Sequence, residues 1–264
     1  MVIDFHTHAF PDAIAQRAIA GLVEGCGRIY TPCTNGTASD LKAKMKEFGV
    51  DISVVQPVVT KPSQTKTVNE WARKITDEGL ISFGGIHPDT DDYKRDIDLI
   101  SSLGLPGIKL HPEYQNFTVD DPRMLKIYDY ALSKELMLLF HAGYDPAFKP
   151  PYHSSPVQFR NIMKSLRGGT VIAAHLGSAK MWDSVAENLA GTGIYIDTSM
   201  GFEYYSKKQF LNILDALGAD KLLFGSDSPW SRADKEIAAL RALDIPDSVK
   251  DAILFENAKR ILKI

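Results

Sequence analysis

The residues with the clearest capacity for chemistry stand at the start of the chain, where the apolar run Val2-Ile3-Asp4-Phe5 leads into His6-Thr7-His8. In a strand, successive side chains alternate faces, so His6 and His8 point the same way and can grip one metal ion from one side. Three more strand-like runs end on a chemically able residue: Met137 to His141, Thr170 to His175, and Lys221 to Asp227. The repetition points to a shared metal site. A fourth run, Gly107-Ile108-Lys109-Leu110-His111, places Lys109 and His111 on one face by the same period of two.

Something must bring residues so far apart in sequence to one place. Strand-like segments are expected at 2–6, 52–57, 81–87, 107–111, 136–141, 170–175, 194–198 and 221–226. Between them lie helix-like segments at Ser39–Phe48, Lys66–Glu78, Asp91–Leu103, Pro122–Lys134, Pro156–Leu166, Ser178–Leu189 and Ser206–Leu217, followed by 232–243 and 247–262. Gly49, Gly79, Gly104 and Gly218 punctuate four helix ends. Strict alternation predicts a parallel sheet, and eight repeats predict an α/β fold closed into a (β/α)8 TIM barrel, a single domain over 1–264. An open doubly wound sheet is disfavoured, because no GxGxxG follows the first strand.

In such a barrel the C-terminal strand ends share one mouth. His6, His8, His87, Lys109, His111, His141, His175 and Asp227 all fall there, which accounts for six of the seven histidines. Only His153, in the loop after the fifth strand, stands apart. The segment Ala9–Ala38 is expected to cover the mouth; its Arg28 and Tyr30 are candidates to hold a substrate carboxylate or ring, against ordinary loop packing. Trp230, beside Asp227, is a candidate pocket wall, whereas Trp71 and Trp182 read as core or interface residues.

Composition narrows the classes. A chain of 264 residues, 44% hydrophobic and 24% charged, can bury a large core, and a formal charge of −3 gives no electrostatic footprint for nucleic acid or an anionic membrane. No apolar run approaches the roughly 20 residues that span a bilayer, and no basic leader precedes the first strand, so a cytoplasmic protein is expected. Cys26 and Cys33 fit neither a redox CxxC nor a zinc-knuckle spacing and read as reduced thiols.

With these residues in view, the chain resembles the amidohydrolase superfamily, in its amidohydrolase-related branch of metal-dependent hydrolases and non-oxidative decarboxylases. The resemblance is carried by Asp4-Phe5-His6-Thr7-His8, Phe140-His141-Ala142-Gly143, Ala174-His175-Leu176-Gly177, Gly225-Ser226-Asp227-Ser228-Pro229-Trp230 and the closing Asn257-Ala258-Lys259-Arg260-Ile261-Leu262. It implies that His6, His8, His141 and Asp227 bind one divalent metal, most often zinc, a donor set of imidazoles and carboxylate that suits such a cation. Asp227 would also move a proton, the alternative being an Asx-turn role before Pro229. His175 would act as base or electrophile beside the substrate, or bind a second metal. In binuclear relatives a carboxylated lysine at the position of Lys109 bridges two metals; an unmodified Lys109 would serve an anionic substrate group or Asp227. His111 and His87 are pocket candidates with structural roles equally open.

The function expected is metal-assisted hydrolysis of a small-molecule amide, lactone or related acyl bond, with Asp227 moving the proton and His175 stabilising the oxyanion. The alternative is a zinc-dependent non-oxidative decarboxylase, a lyase acting on an aromatic or unsaturated carboxylic acid. A barrel that keeps its metal without catalysing is a third reading, opposed by the intact set of site residues. Relatives in this branch often pair as homodimers, but no sequence pattern marks an interface.

Overall fold

The computed structural model describes residues 1–264 and resolves the alternation into parallel strands: β1 (Ile3–Thr7), β2 (Ile52–Val55), β3 (Leu80–Ser82), β4 (Gly84–Gly85), β5 (Gly107–Leu110), β6 (Met137–Phe140), β7 (Val171–Ala173), β8 (Tyr195–Asp197) and β9 (Leu222–Leu223). β3 and β4 are two halves of the third expected strand, parted at Phe83, whose N–H still donates to the Val55 carbonyl at 2.9 Å. Eight staves therefore form the wall. Each pairs in parallel with its neighbour along β1-β2-β3 and along β4 through β9. The ring closes where Phe5 N donates to Phe224 O and Asp227 N to His6 O, both at 2.8 Å, beside a parallel bridge between Thr7 and Ser228.

The strands are apolar on both faces because both are buried. Register aligns Lys109 with Leu139 and Leu139 with Ile172, which share the barrel axis with Ile3, Phe5, Val54, Phe83, Met137 and Leu223. Ile108, Leu110, Leu138 and Phe140 face outward into a larger core beneath the helices. β1 breaks simple alternation. Three steps from Asp4 to Thr7 oppose two from Ser53 to Val55, a bulge that lets Phe5 join the interior while the adjacent His6 also turns inward.

The helices are α1 (Asp12–Gly25), α2 (Ala38–Phe48), α3 (Thr65–Ile75), α4 (Tyr93–Ser102), α5 (Pro122–Ser133), α6 (Pro156–Ser165), α7 (Val185–Leu189), α8 (Lys207–Leu217), α9 (Ala233–Arg241), α10 (Asp247–Asp251) and α11 (Asn257–Leu262). Capping explains several starts: Ser155 with Gln158, and Ser206 with Gln209, form reciprocal boxes. Three expectations change. The expected helix from Ser178 shortens to a 3-10 turn and α7, because Lys180 takes φ 57° and cannot continue a right-handed helix. The segment 247–262 is interrupted by a π turn at Ala252–Glu256. Gly79, unlike Gly49, Gly104 and Gly218, has no positive φ. No helix is long and apolar enough to cross a membrane.

α1 falls inside the segment expected to cover the mouth. Pro11 opens it, and Ile14, Ala18 and Leu22, spaced by four, form a stripe over the cavity.

Candidate active site

The strand ends open into a cavity of about 580 Å³. His6, His8, Lys109, His111, His141, His175, Asp227 and Trp230 all line it. Several stand just beyond the last paired residue of a strand. His175 and Asp227 take φ 58° and 68°, a left-handed bend that ends the strand and re-aims the side chain, of the kind that persists only where surrounding structure enforces it. Asp227 N donates to His6 O, and His175 N to Asp197 Oδ1 at 3.1 Å, which supplies that enforcement. Gly225 matters for what it lacks: a Cβ there would fall 2.9 Å from the Cβ of His6, so a larger residue would push the ring from its place.

The hydrogen bonds fix which nitrogens are free. His6 Nδ1 lies 2.8 Å from Asp197 Oδ2 and His8 Nδ1 lies 3.0 Å from the Gln56 carbonyl. Both partners only accept, so both Nδ1 atoms carry hydrogen and both Nε2 atoms present lone pairs. These point at the same carboxylate oxygen, Asp227 Oδ1, at 3.5 Å from His6 and 3.1 Å from His8. Lys109 Nζ approaches the His6 lone pair at 3.0 Å, but the His8 lone pair and Asp227 Oδ1 face each other with no donor between them, an arrangement that suits a cation. Burial holds the His6 pKa well below its ordinary value, with Lys109 acting in the same direction, so protonating that ring does not relieve the conflict. Burial likewise raises the pKa of Asp227, partly offset by the bond to His8.

A second chain of bonds runs deeper. Ser199 Oγ donates to Asp197 and lies 2.8 Å from His175 Nδ1, while His175 Nε2 lies 2.9 Å from His141 Nδ1. If the serine proton goes to the carboxylate, His175 donates from Nδ1 to Ser199 and accepts at Nε2 from His141. His141 Nε2 is then a lone pair, and it is buried with no protein partner. Burial lowers the pKa of both rings, which keeps them neutral. Neutral imidazoles with aimed lone pairs are what a borderline divalent cation requires.

Three clusters have ligand atoms within 4.8 Å of one another: His6, His8 and Asp227; His6, His175 and Asp197; and His111, His141 and Asp145. His141 therefore stands with His111, on which it stacks at 4.2 Å between centroids, and not within the first cluster. Both nitrogens of His175 are engaged, so it reaches a substrate only by releasing His141. Lys109 is fully enclosed, its ammonium 3.0 Å from His6 Nε2, and desolvation lowers its pKa to about 8.

Other expectations change. Arg28 does not line the cavity: its guanidinium pairs with Glu24 and the side chain is 76% exposed, because the turn of α1 carries it to the outer surface. His87 also lies outside, its Nδ1 accepting from Asp89 N at 3.1 Å. His153 accompanies it outside the lining, close to Pro112 O. Tyr30, by contrast, packs 6.3 Å from Trp230 within the wall. Trp71 and Trp182 line the cavity as well, and the Trp182 indole donates to His175 O.

Asp197, Ser199 and Asp145 were not singled out by their sequence. The seventh stave, Ile194-Tyr195-Ile196-Asp197-Thr198-Ser199, does end in a polar cluster at the mouth, and that is the signal that would have found two of them.

The family model for amidohydrolases matches residues 3–264. The chain belongs to the amidohydrolase family. No match was found among curated proteins. Among solved structures it resembles a TIM-barrel protein from Bordetella bronchiseptica, with TM-score 0.75 and 18% identity over 99% of this chain and 98% of that one. It is also similar to a 5-carboxyvanillate decarboxylase from Novosphingobium aromaticivorans with bound manganese, TM-score 0.71 and 14% identity over 100% and 97% of the two chains. A protein from Acinetobacter baumannii assigned as a 2-pyrone-4,6-dicarboxylic acid hydrolase, with citric acid bound, gives TM-score 0.68 and 17% identity over 100% and 99%. This amidohydrolase is thus an enzyme on a single α/β barrel, and its fold houses both hydrolytic and decarboxylating relatives.

Proposed function

We propose that the enzyme is a metal-dependent hydrolase of a small-molecule amide, lactone or related acyl bond. The observation that carries this reading is the convergence of His6 Nε2 and His8 Nε2 on Asp227 Oδ1, three donors that suit a cation such as zinc. His141, with its unpartnered Nε2, is the proposed fourth ligand. When bound, the metal would polarise the acyl carbonyl and lower the pKa of water from about 16 toward 7.

The chain's own residues supply the rest. Water adds its oxygen to the acyl carbon, the C–N or C–O bond breaks, and Asp227 carries the water's proton to the departing nitrogen or oxygen. His175, anchored through Ser199 to Asp197, carries its hydrogen on Nδ1, so after parting from His141 it would serve as the base beside the substrate, its Nε2 accepting a hydrogen bond from the incoming water. Gln56 and Asp197 keep the two β1 histidines in the required tautomer. Lys109 is proposed as an unmodified ammonium beside His6, and the substrate as a small molecule in a cytoplasmic setting.

Hydrolysis is favoured over carbon dioxide loss because no arginine lines the cavity, leaving a departing carboxylate without a fixed guanidinium. The test has two arms. Elemental analysis should find near one zinc per chain, lost in His8→Ala and in His141→Ala. A panel of aryl amides, lactones and aromatic acids, run in ¹⁸O-labelled water, should then place the label in a released acid. Carbon dioxide release without label would overturn the reading in favour of a lyase, and near two metals per chain would make a carboxylated Lys109 the bridge.

A further inference from the structure

α1 covers the mouth without being built into the wall. Of its 14 residues only Ala15 is buried, whereas α5, with 12, buries Met124, Ile127, Tyr128 and Ala131. Between Pro11 and Pro32 every hydrogen bond and ion pair stays inside the segment. The ties to the rest of the chain stand at its two ends. Phe10 N donates to Gly36 O at 2.8 Å beside a parallel bridge to Thr37, and Cys33 N donates to Pro229 O at 2.8 Å. Ile19 of α1 rests on this neck, since a Cβ at Gly36 would fall 2.6 Å from its Cγ1.

Gaps lie along both flanks of the helix. Ile14, Ala18 and Leu22 border the cavity at the mouth, and a second cleft of about 470 Å³ parts Arg17, Gly21 and Gly25 from Tyr114 and Ala147 on the loops after β5 and β6. Gly25 closes α1 with no positive φ and no neighbour within 4 Å of where a Cβ would stand. Neither strain nor crowding calls for glycine there, and what it supplies is backbone freedom. Beneath the helix the floor is shielded, with His6, His141, His175 and Asp227 all buried. A cavity that encloses most of a ligand must open to admit it.

We propose that Pro11–Pro32 is a lid. α1 pivots about the neck at Phe10 and Gly36 and lifts its stripe of Ile14, Ala18 and Leu22 off the cavity, so that substrate enters and product leaves by that motion. Apolar contact without polar ties is the kind of attachment that opens locally while the barrel stays folded. Which bond the enzyme breaks has no bearing on this.

Maleimide labelling in a Cys26→Ser, Cys33→Ser background tests the lid. Ala15→Cys sets a single thiol under α1, and Ala131→Cys sets it under α5, where global unfolding is needed to expose it. The lid thiol should react at least about a hundredfold faster, and its rate should barely respond to low urea, whereas the rate at Ala131→Cys should climb with the large surface that unfolding exposes. That difference in slope separates lid opening from a substitution that merely weakens the fold. Leu22→Ser, which takes apolar contact from the stripe, should raise the lid rate about tenfold with its shallow urea response kept. Passage is read in the zinc-loaded protein by transfer of the metal to 4-(2-pyridylazo)resorcinol, which should quicken by a similar factor in Leu22→Ser. Equal rates or equal urea slopes at the two thiols would overturn the lid, and a faster thiol with zinc transfer unchanged would overturn its role as a gate. A chain that takes up no zinc would sink the proposed metal centre alone, and the thiol comparison would still decide the lid.

Discussion

One buried carboxylate governs much of the site. Asp197 accepts from His6 Nδ1, from the His175 backbone and from Ser199, and through these bonds it decides which nitrogen of each ring keeps its lone pair. Asp197→Asn can donate where the carboxylate only accepted, and it would favour the wrong tautomer of His6. Metal affinity, measured by competition with a chromophoric chelator, should fall about 10–100-fold with the barrel still folded; unchanged affinity would show that His6 needs no such partner. The gathering of these side chains at one mouth was legible in sequence because HxH and the other strand-end residues sit at fixed places in a repeating unit. Asp197 was less so, since a lone Asp on a strand has no spacing partner to mark it. Arg28 takes the loop-packing alternative for a related reason: nearness in sequence to the mouth says nothing about which side of a turn a long side chain takes, and Glu24, four residues earlier, pairs with it.

Among the elements, the eight staves and most helices were legible because two-sided burial writes continuous apolar runs and amphipathic helices write their own period. α1 was harder to read, as its stripe of Ile14, Ala18 and Leu22 is short and covers an open cavity instead of a packed core. The bulge in β1 leaves no trace in composition at all. Loops at the mouth are pinned by long-range contacts such as Glu236 on α9, which accepts from Phe202 N at 3.0 Å and Ser231 Oγ at 2.9 Å, tying the loop after β8 to the loop after β9. Burial raises its pKa above the ordinary 4.5. The folded state then holds the proton where the unfolded chain has lost it, so this contribution to stability is full at low pH and disappears as pH rises through the raised value. The melting temperature of Glu236→Gln relative to the natural chain should accordingly increase from about pH 4 to about pH 7. A flat difference across that range would show that Glu236 titrates as it does in the unfolded chain.

For the molecule as a whole, the proposed metal binds only a closed barrel, because its ligands lie on both sides of the seam between β1 and β9. A cation at a hundredfold excess over its Kd would add about 2.7 kcal/mol to the folded state. Chelation should therefore lower the melting temperature of the natural chain and leave that of His8→Ala unmoved, as followed by differential scanning calorimetry; an equal shift in both would place the cation elsewhere. The seam also carries a consequence in time. His8 and Asp227 are 219 residues apart, and His6 reaches its own partner across the same closure. During synthesis the first ligands emerge early and wait for most of the chain before their carboxylate arrives. A ribosome stalled before residue 227 would display a histidine pair without its carboxylate, so loading of the proposed metal would have to follow closure of the barrel.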